Sequence, residues 1–369
     1  MSRPFVITGG GTGGHVFPMQ AIAEALLAGG VSRDELRYVG SRRGQERTLL
    51  AGDIALTLLP GRGVRRSLQP RDLAITVGAV TGLVIACARA FVQVGYWRPR
   101  CVISVGGYAS FATSLAAVCW RRPLVLVNLD ATPPATHRVL ARFATRTCVA
   151  LGETEASTVV TGAPVRDEIA TIDRSASARL RAREAFDPPI SASRNVVVVM
   201  SGSLGATSVN RATLSVASTW ATRRDITLIH VTGRRDFADI SAKAPECGEL
   251  DYRIEAFGDM TKLWAVADVA VCRAGATTIA ELTTLGIPAV LVPLPGAPGD
   301  HQTVNARAIV DGGGAVLIPD AQVSAETLAD ALSQILAPVT HAAMSAATRR
   351  LAHEGAAHAI ARVALESAR

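Results

Sequence analysis

The sequence predicts an α/β protein made of two parallel-sheet halves with a cleft between them. Three observations carry the prediction. A glycine-rich strand–turn–helix occurs twice. Short β-branched runs alternate with helical patterns throughout. A chain of 369 residues is too long for one ordinary core. The first copy runs from Phe5-Val6-Ile7-Thr8 into Gly9-Gly10-Gly11-Thr12-Gly13-Gly14-His15, then into an Ala/Leu-rich helix to Leu27. The second runs from Val196–Met200 into Ser201-Gly202-Ser203-Leu204-Gly205-Ala206, then into a helix from Ser208. A buried strand, a glycine turn and a helix N-terminus together make a site for anions. Glycine lets the backbone approach closely, and the first-turn N–H groups have no partner inside the helix.

Alternation of strand-like and helix-like segments argues for parallel sheets covered by helices. The strands expected in the first half are Phe5–Thr8, Leu36–Val39, Ala55–Leu59, Cys101–Val105, Leu124–Val127, Thr147–Ala150 and the short Val159–Thr161. In the second half they are Val196–Met200, Thr227–Val231, Tyr252–Ala256, Val269–Cys272, Ala289–Val292 and Ala315–Ile318. Charged, small-residue sequence from Asp167 to Arg194 marks the boundary. The expected domains are therefore 1–166 and 167–340, with 341–369 as helices that pack back on the first domain.

Hydrophobic residues make up 49% of the chain and aromatics only 4%, so the cores are expected to be aliphatic. A net charge of +7 points to an anionic partner such as nucleotide phosphates, acidic lipid or nucleic acid. An arginine-rich genome would give the same balance. No Lys/Arg run with interleaved aromatics is present, so no nucleic-acid partner is expected. Cys87, Cys101, Cys119, Cys148, Cys247 and Cys272 form no C-x-x-C pair; they read as buried thiols of a reducing compartment. The N-terminus enters a strand directly, so no signal peptide is expected. Leu73–Ala88 falls short of the roughly 20 residues a spanning helix needs. Cys101–Trp120 is split by Gly106-Gly107. No transmembrane segment is expected.

The first loop is neither a dinucleotide fingerprint nor a Walker loop. The former wants an acidic residue at the end of the second strand, where Val39-Gly40-Ser41 stands. The latter wants Lys-Ser/Thr after the glycines. His15 falls where a strand's carboxyl end meets a helix, the usual ligand edge of an open α/β sheet. Gly106-Gly107-Tyr108 faces the same edge, or is simply a tight turn. A third cluster, Cys272-Arg273-Ala274-Gly275-Ala276-Thr277-Thr278-Ile279-Ala280-Glu281, ends a strand and opens a helix. Its N–H groups suit a diphosphate. Glu281 suits a vicinal diol such as ribose, although a solvated or capping carboxylate would look the same. The polar Asp300-His301-Gln302 loop beside it favours the ligand.

The segments GGGTGGHVFP, VGGYAS, GAPVR, SGSLGATSVN, CRAGATTIAEL and DHQTVNA, in this order and spacing, resemble the MurG family of N-acetylglucosaminyltransferases, and through it the GT-B glycosyltransferases. The match covers almost the whole chain. The resemblance implies two Rossmann-like domains facing a central cleft. It implies transfer of N-acetylglucosamine from UDP-N-acetylglucosamine to undecaprenyl-linked lipid I, giving lipid II, with inversion and no cofactor or metal. It places Thr12, Gly13, Gly14, Arg166, Ser203, Phe257, Ala276, Thr277, Thr278, Ile279, Ala280, Glu281 and Gln302 at the donor. It makes His15 the candidate general base or organiser of the acceptor site. The absence of a D-x-D motif agrees with metal-free transfer.

Two departures fall at the cleft. The family carries His-Glu-Gln-Asn where this chain has Val127-Asn128-Leu129-Asp130, and glutamine where Leu204 stands. Asp130 is expected at the donor, neutralised by His137 or Arg138. Another GT-B enzyme, acting on a different lipid or on a secondary metabolite, and a sugar-nucleotide-binding protein without turnover remain the alternatives. The stretch Leu73–Trp97, with Leu73, Ile75, Val77, Val80, Leu83, Val84, Phe91, Tyr96 and Trp97, is flanked by Arg65, Arg66, Arg71, Arg89, Arg98 and Arg100. It reads as a core helix or as a patch resting on the anionic cytoplasmic face of the cell membrane, peripherally.

Overall fold

The structure, a computed structural model, describes all residues except 1, 2, 12, 43, 45, 51, 53, 61–69, 153–156, 203 and 204, and the side chains of 70–77 and 108. The chain divides into two compact units, Met1–Arg166 with Glu354–Arg369, and Asp167–His353. Each is built on one sheet of parallel strands.

In the first unit the strands are β1 (Phe5–Thr8), β2 (Leu36–Ser41), β3 (Ala55–Leu59), β4 (Cys101–Ser104), β5 (Leu124–Asn128), β6 (Arg146–Val149) and β7 (Thr158–Val160). Their order is β3-β2-β1-β4-β5-β6-β7. In the second they are β8 (Asn195–Met200), β9 (Ile226–Val231), β10 (Asp251–Glu255), β11 (Val269–Cys272), β12 (Ala289–Leu291) and β13 (Ala315–Leu317), in the order β10-β9-β8-β11-β12-β13. The first six strands of each unit thus follow one doubly wound plan. Both sheets turn their winding direction beside the strand that carries a glycine loop, between β1 and β4 and between β8 and β11. That switch point is where an open α/β sheet leaves a crevice.

Central strands are buried on both faces, which explains why they read as unbroken apolar runs rather than alternating ones. Val196, Val197, Val198 and Val199 are all 0% exposed. Observed strand ends lie within one or two residues of those read from the sequence. The cores are aliphatic: Val6, Val102, Leu124 and Leu126 join Ala86, Ala90 and Val94 in one unit. Val197, Leu228, Val271 and Leu332 lie at the centre of the other.

The charged stretch after Arg166 is bound tightly to the second unit. Arg179 and Arg183 both reach the carboxylate of Asp268, at 2.5 and 3.0 Å. Arg183 also donates to the carbonyls of Ser191, Ala192 and Arg194. Of the stretch 341–369, helix Pro338–Arg350 belongs to the second unit. Helix Ala356–Ser367 belongs to the first, where it packs on helix Gly13–Ala28.

One helix stands out by its length. Pro70–Trp97 is continuous, and its part Gly78–Trp97, 20 residues, is long and apolar enough to cross a membrane. Only its uncharged part Leu73–Ala88, which Arg89 follows, reads from the sequence as too short for a span. A single arginine does not end a helix, since its stem lies along the surface while its charge reaches water. The helix buries its small side chains, Ala79, Ala86 and Ala90, together with Val94, and turns Val80, Val84, Ile85, Phe91, Val92 and Tyr96 outward. Arg65, Arg66, and the side chains of Arg71, Leu73, Ile75 and Val77 lie outside the described residues. Cys101, Cys148 and Cys272 are buried as free thiols, whereas Cys119 is exposed, against expectation. It occupies the last turn of its helix.

Candidate functional site

At the first unit's switch point two glycine turns press on each other. Gly10 and Gly107 adopt φ of 134° and 88°, a region only glycine enters without strain. A Cβ on Gly107 would run into the carbonyl oxygen of Gly10. Glu46 then locks the loop from below. It is 0% exposed, and its Oε1 accepts from the N–H groups of Gly11 (2.9 Å) and Ser41 (2.8 Å). Side chains at 10, 40 or 44 would occupy the space of its carboxylate. The acidic residue that a dinucleotide site would aim at ribose is thus placed a few residues later and turned onto the loop's own backbone.

His15, half-buried, lies over Gly106: a Cβ there would stand 3.5 Å from the ring Nε2. Behind it runs a buried relay. His137 Nδ1 is 2.6 Å from Asn128 Oδ1, and its Nε2 is 2.9 Å from Ser104 Oγ. An amide oxygen only accepts, so Nδ1 carries the proton and Nε2 accepts from the serine. His137 is 1% exposed, and its pKa is pushed down to about 4, first by burial and then by neighbouring His15. Ser104 is 0% exposed, so the trio resembles a nucleophile relay in bonding only. Neutral His137, spent on Asn128 and Ser104, is not the cation expected to neutralise Asp130. Arg166 stacks on Phe17, its guanidinium carbon 4.1 Å from the ring centroid. That holds it beside the start of helix Gly13–Ala28.

The second unit repeats the scheme. A Cβ on Gly233 would meet the N–H of Gly205 at 2.6 Å and the carbonyl of Gly202 at 2.7 Å. Beneath this turn Asn210 uses its whole amide: Nδ2 donates to Thr232 O and Asp236 Oδ2, both at 3.0 Å, and Oδ1 accepts from Ser201 and from His230 Nε2. His230 Nδ1 therefore accepts from the Tyr252 hydroxyl at 2.9 Å. Burial pushes His230 down to about 4.

Helix Ala276–Leu285 starts at Gly275, without a side-chain cap among the described residues, and it follows β11, so its first turn lies at the carboxyl end of the strand beside the switch point. Arg273 ties the strand ends around it, donating to the carbonyls of Val292 (3.2 Å) and Pro293 (3.1 Å) and to Asp320 (2.5 Å). Glu281 is buried, with Trp264 Nε1 donating to its Oε2 at 2.8 Å. Gln302 accepts from Leu294 N–H at 2.9 Å through Oε1, so its amide nitrogen is the end it offers a ligand. Phe257 is 56% exposed, with Arg234 over its ring.

The expected site residues thus fall into two groups. Gly13, Gly14, His15, Asp130 and Arg166 lie on the first unit, while Phe257, Ala276 to Glu281 and Gln302 lie on the second. Thr12, Ser203 and Leu204 lie outside the described residues. Sequence reasoning missed Glu46, Asn210, His230 and Trp264, and gave His137 a different role. A histidine inside the apolar strand Ile226–Val231 was a usable signal, since a polar ring there must find partners. Glu46 gave no comparable one.

Two Rossmann-like units with glycine loops at their switch points make a GT-B glycosyltransferase architecture. The chain belongs to glycosyltransferase family 28, whose N-terminal domain description fits residues 5–149 and whose C-terminal domain description fits residues 196–363. It is 37% identical, over 378 aligned residues and all of both chains, to the UDP-N-acetylglucosamine–N-acetylmuramyl-(pentapeptide) pyrophosphoryl-undecaprenol N-acetylglucosamine transferase of Alkalilimnicola ehrlichii. The same enzyme of Moorella thermoacetica is 34% identical over 98% of each chain. Among solved structures, Acinetobacter baumannii MurG matches with a TM-score of 0.75 and 25% identity, covering 99% of this chain and 100% of that one.

The buried histidines set a pH dependence. Free histidine titrates near 6.5 (about 6.5 in unfolded chains), and in the folded state both rings sit lower, at about 4. Between those values the unfolded chain binds protons that the folded one does not, so stability falls as pH drops through this window. Histidine NMR should show neither ring charging between pH 7.5 and 5. Asn128→Asp should bring the His137 titration back toward neutrality, because a carboxylate at Nδ1 favours imidazolium. A His137 ring that titrates normally in the parent protein would refute the relay.

Proposed function

We propose that this chain transfers N-acetylglucosamine from UDP-N-acetylglucosamine to lipid I, giving lipid II for peptidoglycan synthesis, with inversion and without a metal. The observation that carries the reading is the place of helix Ala276–Leu285, whose N-terminus follows β11 beside the switch point, with Glu281 on its second turn. It occurs in a chain that aligns end to end with enzymes named for this reaction.

The donor's diphosphate sits at the N-terminus of that helix and gains charge as UDP leaves. Aligned N–H dipoles stabilise that charge without rearranging. On the same unit the Gln302 amide nitrogen adds a donor, and Glu281 accepts from the ribose hydroxyls. Phe257 marks the loop whose backbone reads the base. On the acceptor side an incoming hydroxyl loses its proton to His15, over Gly106, and attacks the anomeric carbon from the face opposite UDP. Neutral His137 does not compete for that proton. A second reading, transfer to a different acceptor, is favoured only by Asn128, which presents an uncharged amide at the end of β5.

Peripheral attachment to the cytoplasmic face of the membrane belongs to the same proposal. Helix Pro70–Trp97 buries alanines and turns large apolar side chains outward, the reverse of an ordinary surface helix. Arg89, Arg98 and Arg100 stand beside them.

A panel of nucleotide sugars with a lipid I analogue tests the activity. Glu281→Ala should raise the donor KM roughly ten- to a hundredfold, the loss of a charged hydrogen-bond acceptor. His15→Ala should lower kcat by roughly 10²–10⁴-fold with UDP affinity little changed. Normal kcat in His15→Ala, or an unchanged donor KM in Glu281→Ala, would remove that residue from its role. Turnover only with another acceptor would favour the second reading. Cosedimentation should show binding to anionic vesicles that weakens with salt. Equal binding to neutral and anionic vesicles at every salt concentration would count against the membrane surface.

A further inference from the structure

We infer that Trp264 is a positioning residue for nucleotide recognition: its indole N–H holds the Glu281 carboxylate in the orientation that receives the ribose diol. The inference rests on the reading of Glu281 as the ribose ligand. Trp264 is 0% exposed and Glu281 5% exposed, and 2.8 Å separates Nε1 from Oε2. A carboxylate this far from water needs donors to stay ionised. An indole N–H can only donate, so its bond to an ionised carboxylate is charge-assisted and fixes one oxygen in place. Glu281 then meets a ligand with its plane already set, and less side-chain freedom is lost on binding.

The placement of Trp264 argues against simple core filling. Any backbone carbonyl would satisfy a buried indole. Here the partner is the carboxylate on the helix whose N-terminus lies beside the switch point. Trp264 lies in helix Met260–Val266, which starts at Asp259, two residues after Phe257. The far end of that helix is held as well. Arg174 donates to the carbonyls of Trp264 and Ala267, and Arg179 to that of Val266 at 3.0 Å. These guanidinium groups satisfy the last carbonyls of the helix. The indole therefore stands on a short helix fixed at its C-terminal end, between the Phe257 loop and Glu281.

The test compares UDP with 2′,3′-dideoxy-UDP, which lacks the diol, in the parent chain, Trp264→Phe and Glu281→Gln. Calorimetry should show that the parent prefers UDP and that Trp264→Phe loses about tenfold in UDP affinity, the value of one hydrogen bond to a charged group. Dideoxy-UDP affinity should hold within about twofold, and kcat at saturating donor within about threefold. A parent that binds both ligands equally would overturn the ribose reading of Glu281 itself. A parent that prefers UDP, with the preference kept whole in Trp264→Phe, would overturn the role of Trp264 alone. Equal loss of both ligands would make Trp264 merely structural and would also overturn it. If Trp264→Phe does not fold, the ¹⁵N-indole resonance of Trp264 in the parent decides. It should shift with UDP, not with dideoxy-UDP, and should move in Glu281→Gln. An indole signal indifferent to UDP would refute the inference.

Discussion

Backbone pressed against backbone at two points is the constraint on which the rest of the structure depends. In the first unit Gly107 closes on the carbonyl of Gly10. In the second Gly233 closes on Gly202 and Gly205. No side chain fits at either contact, and several of these glycines take positive φ. Any other residue would push the two turns apart and with them the helices that follow. The strand order makes these points matter, since β1 and β4, and β8 and β11, leave their sheet in opposite directions. A doubly wound sheet opens there, and the glycine contacts fix how far.

Each loop is also held from beneath by polar groups that are buried or, for Tyr252, partly buried. Glu46 serves the first and the Asn210–His230–Tyr252 chain the second. Buried polar groups are costly unless bonded, and once bonded they permit few alternative arrangements. Asn210 shows this well: all its amide positions are used, so neither it nor His230 can turn without breaking several bonds together. The loops are therefore set before a ligand arrives, as electrostatic stabilisation of a leaving diphosphate requires.

Much of this was legible in the sequence, for a physical reason. Glycine turns, apolar runs and helix starts are local signals, written in neighbouring residues. The strands of both sheets and the two glycine loops followed from them, as did the early-helix place of Glu281. What escaped acts across the chain. Glu46 bonds to a residue 35 positions earlier, and His137 to one 33 positions earlier. Trp264 reads as a core aromatic until the fold brings it to Glu281, 17 residues on. Helix Pro70–Trp97 was legible as the stretch Leu73–Trp97, but its apolar part reaches 20 residues only by running past Arg89, which a search for uncharged runs does not see.

The departure at Asn128 is intelligible in the same terms. A carboxylate at that position would lie 2.6 Å from the Nδ1 of a ring that is 1% exposed. It would draw a proton onto His137 and bury an ion pair beside His15, with a desolvation cost that a pair rarely recovers. Asparagine keeps the same hydrogen bond without the charge. Asn128 and His137 are thus one paired choice: a neutral amide suits a neutral imidazole, and either residue alone would be a poor fit. The edge of the first unit then keeps its chargeable imidazole at His15, half-buried at the mouth of the loop, and the ring behind it serves as a hydrogen-bonding scaffold.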